Sequence, residues 1–131
     1  MATIRVLLVD DNGEMLTDLR DELSGEFEIA GTAGNGEQAI REVLRLDPDV
    51  IVLDITMPVM SGFQVASSLR DMQRRTKILF LTIHEEPEYI SAAFSGGACG
   101  YVTKRRLASD LALAIREVSA GRNFVSASLR K

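Results

Sequence analysis

Five short apolar runs punctuate the chain, and the stretches between them carry apolar residues at helical spacing. The runs are Ile4 to Val9, Phe27 to Ala33, Val50 to Leu53, Ile78 to Leu81 and Tyr101 to Thr103. Strands that are apolar at consecutive positions are buried on both faces, which is the condition of a parallel sheet covered by helices. Between the first two runs, Met15, Leu16, Leu19 and Leu23 recur with the period of one helix face. The same spacing returns in Ala39, Ile40, Val43 and Leu44, in Val65, Ala66, Leu69 and Met72, and in Leu107, Leu111, Ile115 and Val118. A shorter helix carries Tyr89, Ile90, Ala93 and Phe94; it is entered through Pro87 and ended by Gly96-Gly97. Gly121 closes the last helix.

Alternating strands and helices predict an α/β fold, a doubly wound five-stranded parallel sheet of the flavodoxin-like (βα)5 kind. The first, third and fourth runs are continuously apolar and belong in the middle of the sheet. "FEIAGTA" alternates with small or polar residues, and the fifth run is short and includes Gly100 and Thr103. Those two suit the edges, which gives the order 2-1-3-4-5. One unit over residues 1–121 is expected. Residues 122–131, "RNFVSASLRK", lack a strong period and read as a tail or the start of a linker.

Composition narrows the function classes. The 131 residues are 46% hydrophobic and 26% charged, ordinary for a globular domain with a core of its own. A net charge of −4 gives no electrostatic footprint for nucleic acid, so this chain alone is a poor candidate DNA binder. No run approaches the roughly 18 apolar residues of a transmembrane helix, and "MATIRVLLVDDN" meets acid too early for a signal peptide. The single Cys99 has no partner for a disulfide or a thiolate metal site, and it reads as a small packing residue. A reducing, cytoplasmic location follows as an expectation.

In an open parallel sheet, ligands gather at the carboxyl ends of the strands, where the winding direction reverses. Asp10 and Asp11 follow the first strand, Asp54 the third, Thr82 the fourth and Lys104 the fifth. Three carboxylates on one rim repel each other unless a cation lies among them. Oxygen ligands without His or Cys select a hard divalent ion, Mg²⁺ in the first place. A hydroxyl at Thr82 and an ammonium at Lys104 are the groups expected around phosphoryl oxygens. Asp54, alone on a central strand in "VIVLDITMPVMSG", is the predicted nucleophile. A carboxylate is ionised at neutral pH and needs no general base, only charge neutralisation and in-line placement.

"LLVDDN", "VIVLDITMPVMSGFQV", "ILFLTIHEE" and "GACGYVTK", in this order, resemble the receiver domain of bacterial two-component response regulators, over about Ile4 to Ala120. "DITMPVMSG" and "GGACGYVTK" look most like receivers of the NarL/FixJ type, which usually precede a helix-turn-helix output domain. The resemblance implies that Asp54 accepts a phosphoryl group from a sensor histidine kinase. It implies that Asp10, Asp11 and Asp54 hold Mg²⁺ with the backbone carbonyl of Thr56. Thr82 and Lys104 would bind phosphoryl oxygens, and Thr82 and Tyr101 would move together as a switch of the surface formed by the fourth helix, fifth strand and fifth helix. A homodimer formed on phosphorylation is a further expectation of the resemblance.

Gly62 and Pro58 read as residues that shape the backbone after Asp54. His84, the only histidine, reads as an exposed loop residue. Arg105 and Arg106 stand where many receivers carry proline after the lysine, and they read as solvated. The expectation is a phosphoacceptor acting only on itself and not a turnover enzyme. Phosphohydrolases that form an aspartyl-phosphate commonly place a second acid two residues after the nucleophile, where this chain has Thr56. A third reading, a receiver-like domain whose rim no longer works, is opposed by the complete set Asp10, Asp11, Asp54, Thr82 and Lys104.

Overall fold

The computed structural model describes residues 3–129 and contains six parallel strands with five main helices. The strands are β1 (Arg5–Val9), β2 (Glu28–Ala33), β3 (Val50–Leu53), β4 (Lys77–Thr82), β5 (Gly100–Thr103) and β6 (Phe124–Val125). The helices are α1 (Gly13–Leu23), α2 (Gly36–Leu46), α3 (Gly62–Asp71), α4 (Pro87–Ser95) and α5 (Leu107–Ser119). Strand order is β2-β1-β3-β4-β5-β6.

The period-two geometry of strands sorts the apolar runs into two cores. Leu7, Val9, Ile51, Leu53, Ile78, Phe80 and Tyr101 face α2, α3 and α4, where Ala39, Val43, Val65 and Leu69 close over them. Val6, Leu8, Val50, Val52, Leu79, Leu81 and Val102 face α1 and α5 and meet Leu19, Leu23, Leu111, Ile115 and Val118. A strand with apolar residues at every position thus serves two cores at once. Each completely buried Leu or Ile contributes about 1.5–3 kcal/mol relative to exposure.

The helices begin where the sequence provides caps. Asn12, two residues after Asp10, accepts hydrogen bonds from the amides of Glu14 and Met15 and so starts α1. Asn35 caps α2, and Ser61 with Gln64 forms a capping box on α3. These caps turn the chain sharply at the rim, so each strand delivers its last residue there before a helix returns to the opposite end.

The sheet departs from expectation at one edge. Residues 124 and 125 form β6, parallel to β5, with Gly100 opposite Phe124 and Tyr101 opposite Val125. The Phe124 amide donates to the Cys99 carbonyl at 3.0 Å and the Ser126 amide to the Tyr101 carbonyl at 3.0 Å. The segment after α5 is therefore not a loose tail up to Leu129, and β5 is not the sheet edge. The physical reason is that an open strand offers unpaired backbone groups, and two residues suffice to take them up. Arg130 and Lys131 lie outside the described residues. Among the described residues, no helix is long and apolar enough to cross a membrane.

Candidate phosphoryl-acceptor site

The order reversal lies at β1, whose neighbours are β2 and β3, and the carboxyl ends of β1 and β3 bring the acids together there. One carboxylate oxygen from each of Asp10, Asp11 and Asp54 lies within 4.8 Å of the others. Asp10 and Asp54 are buried and Asp11 is exposed. The group therefore has two fixed walls and one side open to solvent. A hollow of about 650 Å³ adjoins that side, lined by Asp11, the 34–37 turn and residues 58–60.

Each buried acid is tied by backbone. The Asn12 amide donates to Asp10 Oδ1 at 2.9 Å, and the Ile55 amide donates to Asp54 Oδ1 at 2.7 Å. The remaining oxygens converge on Lys104, whose Nζ lies 2.9 Å from Asp10 Oδ2 and 3.0 Å from Asp54 Oδ2. Burial acts to lower the Lys104 pKa, but the hydrogen bonds to Asp10 and Asp54 outweigh it and leave it raised. The ammonium is charged at neutral pH and offsets part of the repulsion between the two acids.

The donor set fits a hard divalent cation: three carboxylates within bonding span of one ion, all oxygen, with a cation already required between the buried pair. Thr82 ends β4, fully buried, at the same rim, and its Oγ1 accepts from the His84 amide at 3.3 Å. Lys104 opens a single 3-10 turn, Lys104–Arg106, that passes straight into α5.

Gly62 is required by space and not by an unusual backbone angle. A Cβ placed there would lie 2.2 Å from the Asp54 carbonyl oxygen and 2.9 Å from the Ile55 Cα. The Gly62 amide also donates to the Ile55 carbonyl at 2.7 Å, pulling the start of α3 against the strand end that carries Asp54. The unusual angle falls on Val59 instead, with φ 69° and a completely exposed side chain. A β-branched residue in the left-handed region is strained.

Three readings from the sequence need correction. His84 is not a free loop residue: its Nε2 lies 2.7 Å from Thr56 Oγ1, and its ring stacks on Tyr89 at 4.2 Å with planes 3° apart. Arg105 is not merely solvated, since it pairs with Glu85 through two hydrogen bonds of 3.1 and 3.0 Å. Glu85 also accepts from Thr103 Oγ1 at 2.6 Å, and the Arg105 and Thr103 bonds hold its carboxyl below the usual range. Arg106 pairs with Asp110 one turn on, at 3.2 Å.

Tyr101 is a completely buried residue whose hydroxyl donates to the His84 carbonyl at 2.8 Å. Burial pushes its phenol up, with Glu86 adding to the effect, so the hydroxyl stays protonated and donates. Thr82, His84 and Tyr101 are thus in hydrogen-bonded series.

A profile of the response regulator receiver domain matches residues 6–116. The chain belongs to the response regulator receiver family. The uncharacterized transcriptional regulatory protein YvfU of Bacillus subtilis (strain 168) is 37% identical over 96% of this chain and 64% of its own length. The nitrate/nitrite response regulator protein NarL of Escherichia coli (strain K12) is 32% identical over 95% of this chain and 58% of its own. This receiver chain therefore spans about three fifths of the length of those relatives. By contrast, the chemotaxis protein CheY of Halobacterium salinarum is 38% identical over 76% of this chain and 83% of its own length.

Among solved structures, the signal receiver domain of the response regulator NarL from Mycobacterium tuberculosis superposes with a TM-score of 0.89 at 30% identity, covering 93% of this chain and all of the other. A LuxR-family two-component response regulator from Aurantimonas gives a TM-score of 0.92 at 30% identity over 98% of this chain and 93% of the other. The receiver is a signalling domain, and its relatives include NarL, NreC and other LuxR-type regulators.

Proposed function

We propose that Asp54 of this receiver accepts a phosphoryl group from the phosphohistidine of a sensor kinase, in a Mg²⁺-dependent reaction, and that the modification resets the β4–β5 side of the domain. The observation that carries the reading is that Lys104 Nζ lies within 3.0 Å of both Asp10 Oδ2 and Asp54 Oδ2, beside the open carboxylate of Asp11.

An oxygen of the Asp54 carboxylate forms the new bond to phosphorus while the phosphorus–nitrogen bond of the donor breaks, its electron pair leaving with the imidazole. The Ile55 amide fixes the plane of the attacking carboxylate. Lys104 then pairs with the phosphoryl group, and the Thr82 hydroxyl donates to one of its oxygens. Asp10, Asp11, Asp54 and the Thr56 carbonyl would hold Mg²⁺, whose chemistry is to neutralise charge on the transferred group. Self-directed hydrolysis of the acyl phosphate returns the domain to its starting state.

Phosphorylation adds close to two negative charges and new acceptor oxygens next to Thr82. Thr82 Oγ1, which now accepts from the His84 amide, is drawn toward the phosphoryl group as its hydroxyl donates there, and that movement pulls on His84, whose carbonyl accepts from Tyr101. The signal thus passes from Thr82 through His84 to Tyr101 and the α4–β5–α5 surface. Control of a DNA-binding output domain, and a homodimer formed on phosphorylation, are the downstream events in this reading; NarL and the LuxR-family neighbours support it. A receiver unit that runs on through β6 suits such an arrangement.

Incubation with acetyl phosphate and Mg²⁺ should add one phosphoryl group, seen by intact mass. Chelation or Asp54→Asn should abolish it. Equal labelling of folded Asp54→Asn protein would remove Asp54 from the role.

A further inference from the structure

The segment after α5 takes no part in the reaction described above, yet it is held from three directions. Ser126 is completely buried. Its amide donates to the Tyr101 carbonyl, and its Oγ accepts from the Thr103 amide at 3.2 Å. The same side chain hydrogen-bonds the Asp110 carboxylate, which Arg106 and Ser109 also engage. The two-residue strand β6 has ended by this point, and a hydroxyl supplies the acceptor for the last amide of β5. Thr103 directly precedes Lys104. One side chain therefore gathers the end of β5 and the first turn of α5 around the backbone that carries Lys104. The segment is also gripped on both faces of the sheet, with Phe124 in the α1–α5 core and Leu129 packed against the α3–α4 core.

We propose that Ser126 is a positioning residue for Lys104: its hydroxyl holds the Thr103–Lys104 backbone so that the ammonium spans Asp10 and Asp54, and so couples the state of the site to the seating of residues 124–129. This rests on Asp54 being the phosphoryl acceptor and adds the route by which the site reaches the chain beyond α5. Without the hydroxyl, the buried Thr103 amide loses its acceptor, and the backbone must shift to find another. Coupling of this kind is reciprocal: what moves Lys104 loosens the segment, and what loosens the segment moves Lys104.

The test compares labelling by acetyl phosphate with Mg²⁺ in the wild type, Ser126→Ala and Ser126→Thr, with Phe27→Leu as a core variant of matched unfolding midpoint far from the site. Ser126→Ala should label about fivefold more slowly, the effect of one buried hydrogen bond. Ser126→Thr, which keeps the hydroxyl, should recover most of the rate, and Phe27→Leu should label like wild type. Independently of any variant, Mg²⁺ with beryllofluoride should change hydrogen exchange at the Thr103 and Ser126 amides and leave the Glu28 amide of the β1–β2 edge unchanged. Wild-type labelling in Ser126→Ala, equal slowing in Phe27→Leu, or unmoved Thr103 and Ser126 amides would each overturn the proposal. A wild type that takes no label overturns the acceptor reading itself, an outcome distinct from these.

Discussion

The two halves of the sheet build the site in different ways. On β1 and β3, charge is concentrated: Asp10, Asp11 and Asp54 are close in space because parallel strands end together, and each buried acid is held by an amide one or two residues away. On β4, β5 and β6, uncharged or locally neutralised groups form a web over long sequence distances, such as Thr56 with His84, Tyr101 with His84, Thr103 with Glu85 and Thr103 with Ser126. The first half stores electrostatic repulsion that a cation relieves. The second ties its strand ends and loops together by hydrogen bonds between distant positions. Lys104 belongs to both, since it leaves the end of β5 and reaches the acids of β1 and β3. This division would suit the proposed switch, in which the chemistry stays fixed on β1 and β3 while the β4–β5 side responds.

The largest expected effect comes from driving the two halves of the β3 turn apart. Gly62→Ala places a methyl group against the Asp54 carbonyl, which cannot yield without displacing the strand end. A loss of about 3 kcal/mol in chemical denaturation is expected. Next, Lys104→Ala leaves Asp10 and Asp54 buried without their cation and should cost about 2 kcal/mol, below the range for a wholly enclosed pair because Lys104 keeps some exposure. Added Mg²⁺ should restore most of that stability. Tyr101→Phe removes the hydroxyl that donates to the His84 carbonyl and should cost about 1 kcal/mol. Added Mg²⁺ should not restore it. Equal rescue of Lys104→Ala and Tyr101→Phe would erase the proposed distinction between the halves.

A pH experiment sharpens the second half further. Burial acts to raise the Asp110 pKa, but hydrogen bonds from Ser126, Arg106 and Ser109 outweigh it and leave it below its ordinary 3.8. A depressed folded-state value means that the ionised carboxylate stabilises the fold above pH 3.8, and that this contribution is lost as pH falls through the lower folded value. The stability gap between wild type and Asp110→Asn should be present at neutral pH and close below that window in urea titrations. The smallest effect is a gain: Val59→Asn relieves a left-handed β-branched residue and should add up to about 1 kcal/mol without altering the site.

The sequence made the first half legible because its information is local. Continuous runs such as "VLLV" and "VIVL" announce doubly covered strands, and the acids that follow them announce a rim. Thr82 and Lys104 were legible for the same reason. The second half was less so. Two residues such as Phe124 and Val125 have no period to detect, and their strand exists because β5 presents unpaired groups nearly 25 positions earlier in the chain. The contact of His84 with Thr56 spans 28 positions, and no pattern around either residue points to the other. Arg105 and Arg106 look solvated until the β4–α4 loop brings Glu85 to the one and the first turn of α5 brings Asp110 to the other. Gly62 was legible as a backbone residue, but its reason, the proximity of the Asp54 carbonyl, required three dimensions.

The claim that the paired acids cradle a cation while the solitary acid does the chemistry is tested most directly by peptide mapping of the protein labelled with acetyl phosphate and Mg²⁺. The account predicts a single phosphoryl group on Asp54, with none on Asp10 or Asp11. A label on either member of the pair, with Asp54 unmodified, would contradict it.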